Sequence, residues 1–341
     1  MPTYRSRGGI VKLGKLKLTL GCARYDRTVP LIDGRVVPEG VDLNYVPLEP
    51  EELFWRMAQH SEFDASEFSL CAYTILMGRG DHRFVAIPVF PSRFFRHSCV
   101  YVNTNSGIVK PEDLRQKRVG VPDYTMTANV WIRGFLQHDY GVHPTEIQWF
   151  TGGLDQPGRK QRIAIKPIEG LSVTPIGQAT LSDMLEAGEI DAVIGAREPR
   201  PFRMGSPKVQ RLWPNYKEVE QEYFTRTGVF PIMHTVVIRR EVYEKNPWVA
   251  QSLFKAFEES RLITLAEMKK QSALRHMLPW LIAELERTVE LMGEEYWPYG
   301  VENNRHTLEL FIQYCVEQGL AESAVDLGDF FARETLDTSR I

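Results

Sequence analysis

The chain has 341 residues, of which 43% are hydrophobic and 25% charged, and its net charge is −3. That length and apolar content support two domains of ordinary size, each with its own core. Without a basic excess, neither nucleic acid nor an anionic membrane surface is an expected partner, and the longest apolar stretches, such as Leu70 to Met77, fall far short of a membrane span.

The N-terminus, Met1 to Lys17, carries Arg5, Arg7, Lys12, Lys15 and Lys17 with no acidic residue. No apolar run of signal-peptide length follows it, so a cytoplasmic location is expected. Leu16 to Ala23 (LKLTLGCA) alternates and reads as the first strand. Val41 to Pro47 is the second, after a Pro38–Gly40 turn. Pro50 opens a helix through His60 with Leu53, Phe54 and Met57 on one face. Phe63 to Ser66, Phe84 to Val89 and His97 to Asn103 read as three further strands, the last two joined by a PSRFFR loop.

A second unit begins near Asn105. Arg118 to Pro122 is a short buried strand leading into a helix, with Thr125 or Thr127 at its N-cap and Gly141 at its end. Glu146 to Phe150 is a strand. Gly152 to Ile168, rich in Gly, Pro and charge, reads as a long loop or flap. Thr180 to Ala196 is a capped helix, a Gly188 stop and a strand. Ile232 to Arg239 is another strand, Asn246–Pro247 opens a long helix, and the remainder is mostly helical. Cys22, Cys71, Cys99 and Cys315 show no CxxC spacing and are expected as reduced core thiols.

This order of elements predicts an α/β protein of two lobes. Residues 1–100 with 231–341 form a discontinuous first lobe, and residues 101–230 form the second. Two crossings between the lobes give a hinge and a cleft, where small ligands usually bind.

Four separated stretches resemble the 4,5-dihydroxyphthalate decarboxylase family. They are VFPSRFFRHSCVYVN (Val89 to Asn103), RVGVPDYTMTANVWIRGFLQHDYGV (Arg118 to Val142), TLSDMLEAGEIDAVIGAREP (Thr180 to Pro199) and WPYGVENNRHTLELFIQYCVEQGL (Trp297 to Leu320). The resemblance implies a fold related to type II periplasmic binding proteins. It also implies loss of one carboxylate from 4,5-dihydroxyphthalate, giving protocatechuate.

That chemistry needs a base near a ring hydroxyl, an acid above a ring carbon and a clamp for the retained carboxylate. Clamp candidates are Arg93 and Arg96 in the PSRFFRHS loop, since a guanidinium binds carboxylates bidentately. Thr125 and Thr127, at a strand-to-helix turn, offer hydroxyls and backbone N–H groups to an anion. The acid/base candidates are His97, His234, Asp26 and Glu67. The two histidines are expected on crossing strands that run side by side, and Asp26 and Glu67 are expected just beyond strand ends. Arg24, Arg197 and Tyr299 are further substrate-binding candidates. No organic cofactor is required, and the preferred mechanism is metal-free. A divalent ion on His97, His234, Asp26 and Glu67 stays open, although no HxH or HExxH spacing supports it. The competing reading is a non-catalytic solute-binding protein for a small organic anion. A titratable group in the cleft separates the two. Self-association into a homo-oligomer is left open.

Overall fold

The computed structural model describes residues 14–159, 163 and 166–336. The basic N-terminus through Leu13 therefore lies outside the described residues, as do residues 160–162, 164 and 165 of the expected flap. Leu18, Leu20 and Cys22 alternate toward the core in β1 (Leu16–Cys22). β1 pairs in parallel with β2 (Val41–Pro47) and β3 (Ala65–Ser69). Gly21 is required there, because a Cβ would lie 2.6 Å from Leu53 on helix α1 (Pro50–His60).

The first sheet has the order β2-β1-β3-β11-β4, with β4 spanning Phe84–Ile87 and β11 spanning His234–Arg239. The second has the order β10-β5-β9-β6-β7-β8. Its strands are β5 (Val100–Asn103), β6 (Arg118–Val121), β7 (Gln148–Thr151), β8 (Ser172–Pro175), β9 (Ala192–Ile194) and β10 (Val209–Arg211). Each sheet contains one reversed strand. β11 runs antiparallel to β3 and β4, and β5 runs antiparallel to β9 and β10. Both are the first strand reached after the chain crosses from one sheet to the other.

The crossings meet in a narrow hinge. Arg93 and Ile232 form an isolated antiparallel bridge. Around it Met233 N–H donates to Ser92 O at 2.8 Å and Phe94 N–H to Pro231 O at 3.1 Å. The paired segments lie before the expected positions. Residues 97–99 are a 3-10 turn, so His97 precedes β5 and sits in the second sheet's half, not beside His234.

Leu70–Gly78 is helix α2, apolar on all sides and mostly buried, with Ser69 as its cap. Thr127–Tyr140 is α3, Leu181–Ala187 α4, Tyr216–Thr227 α5, Trp248–Met268 α6, Leu281–Met292 α7 and Arg305–Glu317 α8. The C-terminal α8 contacts α2 under the first sheet and also packs on α3, which follows β6 of the second. Trp131 and Phe311 rings lie 5.2 Å apart across that seam. Beyond α8, Phe331 forms an isolated parallel bridge with Ala86 of β4. All four cysteines are buried and free. Among the described residues, no helix is long and apolar enough to cross a membrane.

The α3–α8 seam is closed by a glycine. A Cβ on Gly134 would stand 2.1 Å from the Tyr314 ring. Helix propensity alone would make Gly134→Ala stabilising by about 1 kcal/mol. Overpacking wins here, and the expected outcome is a loss of about 1–3 kcal/mol, read as a lower urea midpoint at unchanged m-value.

Candidate active site

Between the two sheets lies a small chamber of about 50 Å³. Phe54 and Ala58 of α1, Phe68, Ser69 and Ala72 form one wall, and Asp123 and Thr125 to Ala128 form the other. Arg96, Met233 and His234 enter from the hinge side. An outer cavity of about 450 Å³, the vestibule, shares Met126 and Ala196 with it.

Glu67 lies inside β3 rather than after it, and it has no exposed surface. Strand register puts Glu67 opposite Val236, so His234, two residues away on β11, shares its face as a diagonal neighbour. His234 Nδ1–H donates to Glu67 Oε1 at 2.6 Å. Tyr25 Oη–H donates to the same oxygen at 2.7 Å, and Ala23 N–H donates to Oε2 at 2.9 Å. Burial alone would raise the Glu67 pKa. The hydrogen bond and charge of His234, with the Ala23 and Tyr25 donors, outweigh burial and hold it below the ordinary carboxylate value. Glu67 thus stays ionised and fixes the proton on Nδ1 of His234, leaving Nε2 for a ligand in the chamber.

Arg96 is buried. Nε donates to Met233 Sδ at 3.2 Å, Nη1 donates to Cys99 Sγ at 3.7 Å, and the guanidinium packs on the Phe94 ring at 4.6 Å. Its charge attracts Glu220 of α5, which accepts from Ser98 N–H at 3.0 Å, but forms no ion pair among the described residues. Sulfur is a weak acceptor, so this cation retains its capacity for an anionic ligand.

The opposite wall uses a helix start. The N-cap of α3 is Met126, not a threonine. Asn129 and Val130 amides close on Met126 O, leaving those of Thr127 and Ala128 outside the helix's own ladder. Thr127 Oγ1 accepts from Cys71 N–H at 3.1 Å and shares a hydrogen bond with Ser69 Oγ at 2.9 Å, joining the starts of α2 and α3. Thr125 donates N–H and Oγ1–H to Asp123 Oδ1 at 2.9 and 2.8 Å.

Other sequence candidates stand elsewhere. His97 is stacked on Phe135 at 4.1 Å and edged by Trp213 and Tyr223, outside the chamber. Burial, with a smaller contribution from Arg226, pushes its pKa down to about 3. Arg93 is a hinge staple: it donates to Phe230 O at 3.3 Å, to Pro298 O at 2.7 Å and to Asn304 Oδ1. Asp26 pairs with Arg27 at 2.9 Å and lines a separate cavity beside α6. Arg24 is exposed and lines neither the chamber nor the vestibule. Tyr299 is buried, with Arg261 5.6 Å from its ring, and does not line the chamber. Arg197 lines the vestibule. It and Arg159 both pair with Glu51, at 3.6 and 2.9 Å.

The four acid/base candidates therefore do not converge, since only Glu67 and His234 touch. Among the described residues, no group of three or more His, Cys, Asp and Glu side chains is arranged to hold a metal ion. Sequence reasoning missed Tyr25 and Ser69 as site members, and took Asp123 only as part of a donor turn. Tyr25 had a signal in its place just past β1.

Two α/β lobes, joined by paired crossing segments around a cleft that holds a cation and a carboxylate-backed imidazole, define a protein of the type II periplasmic-binding-protein fold. Solved structures agree. The periplasmic aliphatic sulphonate binding protein SsuA of Escherichia coli superposes with TM-score 0.53 at 14% identity, over 94% of this chain and 99% of that one. A periplasmic sulfonate-binding protein SsuA from Methylobacillus flagellatus gives 0.51 at 12%, over 93% and 92%. No family model matches the chain. Sequence relatives do. A 4,5-dihydroxyphthalate decarboxylase of Comamonas testosteroni is 40% identical over 331 residues, 96% of this chain and all of that protein. One from Pseudomonas putida is 39% identical over 213 residues, 62% of this chain and 83% of that protein. The chain belongs to the 4,5-dihydroxyphthalate decarboxylase family.

The buried His97 has a measurable signature. Its folded pKa is depressed, so from about pH 6.5 down to about 3 the unfolded chain binds a proton that the folded one refuses. Stability from this group is present above pH 6.5 and is lost on acidification at about 1.4 kcal/mol per pH unit. His97→Phe keeps the ring stack and removes the slope. Urea unfolding is expected to show the variant gaining about 2–3 kcal/mol on the parent between pH 7.5 and 4.5.

Proposed function

We propose that this chain decarboxylates 4,5-dihydroxyphthalate to protocatechuate and carbon dioxide. The observation that carries the proposal is His234, backed by the fully buried Glu67, lining the same chamber as Arg96, a buried cation with no ion-paired carboxylate among the described residues. A binding protein for organic anions needs the cation and the helix start. It has no use for an imidazole backed by a buried carboxylate, so the enzyme reading is favoured over the solute-binding one.

Each ring hydroxyl of this substrate lies para to a carboxylate. With the para hydroxyl deprotonated, the ring carbon bearing the departing carboxylate is nucleophilic. Protonated His234 delivers the proton on Nε2 to that carbon, and the ring becomes a dienone. The bond to the carboxylate then breaks. Its electron pair restores the aromatic ring and the phenolate, and carbon dioxide leaves. Ionised Glu67 stabilises the imidazolium before transfer and holds its ring direction. Asp123, on the opposite wall, takes the proton of the para hydroxyl and returns it to the phenolate after carbon dioxide leaves. Arg96 and the Thr127 and Ala128 amides hold the retained carboxylate. Arg159 and Arg197 in the vestibule attract the dianion. The lobes, 1–100 with 231–341 and 101–230, close on the Arg93–Ile232 bridge. The scheme uses no organic cofactor and no metal.

Metal-stripped protein is expected to release carbon dioxide and protocatechuate from 4,5-dihydroxyphthalate. His234→Asn is expected to lower kcat by about 10²–10⁴-fold. Arg96→Met is expected to raise KM by about tenfold or more, with the circular dichroism spectrum unchanged. Tight binding without turnover would establish the solute-binding reading instead. Turnover only after a divalent ion is added would keep the reaction and overturn the metal-free mechanism.

A further inference from the structure

Behind the chamber wall lies a second buried cation that the reaction scheme does not use. Arg133, on α3, is 1% exposed. Nη2 donates to Tyr124 O and Nε to Gln318 Oε1, both at 2.8 Å. The guanidinium carbon lies 3.7 Å from the centre of the Tyr124 ring. Nη1 has no acceptor and no carboxylate pairs with it among the described residues. Burial lowers its pKa, but a guanidinium stays protonated even so. Gln318 is itself buried and donates Nε2–H to Val130 O at 2.9 Å. One turn earlier on α3, Asn129 donates to Asp123 O at 2.8 Å.

Tyr124 stands between Asp123 and Thr125, which both line the chamber. Arg133 thus grips the back of the turn whose front faces the ligand. Without an ion pair among the described residues, and with Asp123 adding only a weak attraction, this buried charge is costly, and an uncharged side chain of similar size filling the same space would cost less. We propose that Arg133 is a positioning residue that holds the Asp123–Thr127 turn and places a fixed positive charge behind it, making the site select aromatic dianions over monoanions. The inference rests on the decarboxylase reading and names what gives that site its preference for a dicarboxylate. The field of a poorly screened charge acts on ligand charge, so a dianion gains twice what a monoanion gains.

Calorimetric titration with phthalate, a dianion, and benzoate, a monoanion, tests this in the parent, in Arg133→Met and in Gln318→Glu. The last variant keeps an oxygen acceptor for Arg133 Nε and adds an adjacent counter-charge. It therefore tests the field even where Arg133→Met folds poorly. Phthalate affinity is expected to fall about tenfold and benzoate affinity about threefold in both variants, so selectivity falls about threefold. A purely structural Arg133 would weaken both ligands by one common factor, and an unchanged ratio in Gln318→Glu overturns the proposal. If the parent turns over 4,5-dihydroxyphthalate but the ratio holds, this inference alone fails. If the parent neither binds phthalate nor turns over 4,5-dihydroxyphthalate, the decarboxylase reading fails and takes the inference with it.

Discussion

A carboxylate with no solvent contact sits in the middle of β3, and the structure around the cleft is organised to keep it charged. Burying an ionised carboxylate costs several kcal/mol unless donors replace its water. Glu67 receives His234 from the returning strand β11, the Ala23 amide from the end of β1, and Tyr25 just beyond it. These donors come from chain segments that only the finished first sheet brings together. The site and the sheet therefore form together. The discontinuous topology is what makes this geometry available, since β11 reaches its place beside β3 only after the chain has built the second sheet.

Local pattern made much of this legible in the sequence. β2 and α1 have the bounds read from alternation, Pro50 and helical spacing, and β1 differs by one residue. Their faces are set by neighbours close in sequence, and there periodicity is informative. Non-local pairing defeated the same reading. Phe63 to Ser66 reads as a strand because Phe63 is apolar, but the chain bends at Phe63 and Asp64, and β3 runs Ala65–Ser69 with Glu67 in its middle rather than beyond its end. The run from His97 to Asn103 has no period of its own. Only the bridge between Arg93 and Ile232 fixes where the hinge ends and β5 begins. Histidine, arginine and tyrosine candidates are ambiguous for a related reason. His97 fills an aromatic core, Arg93 satisfies backbone carbonyls and Tyr299 packs behind the hinge. The same residue types would suit a ligand site, and nothing local separates these uses.

The helix start illustrates the point at finer scale. Thr125 and Thr127 both fit the N-cap pattern, yet Met126 occupies the cap. Thr127 is drawn instead to Ser69 and the first turn of α2, and Thr125 is drawn to Asp123. Capping is a local preference of about 1 kcal/mol. Two cross-lobe hydrogen bonds and one within the turn outweigh it. The outcome leaves the Thr127 and Ala128 amides outside the helix's own ladder, which a well-satisfied cap would have consumed.

The C-terminal helix sets how far such a cleft can move. In a two-lobed fold held only by two crossing strands, the lobes could swing freely about the hinge. Here α8 lies against α2 on one side and α3 on the other, with Tyr314 filling the space at Gly134 and Gln318 bonded to Arg133. Wide opening would expose that seam and strand a buried guanidinium. The vestibule side is held more weakly, by exposed or half-buried ion pairs of Glu51 of α1 with Arg159 and Arg197 that cost little to break. A transport receptor must release its ligand whole and benefits from a wide swing. An enzyme that protonates a ring carbon must instead hold one carboxylate still while the other departs, and a rigid rear wall with a soft front serves that need.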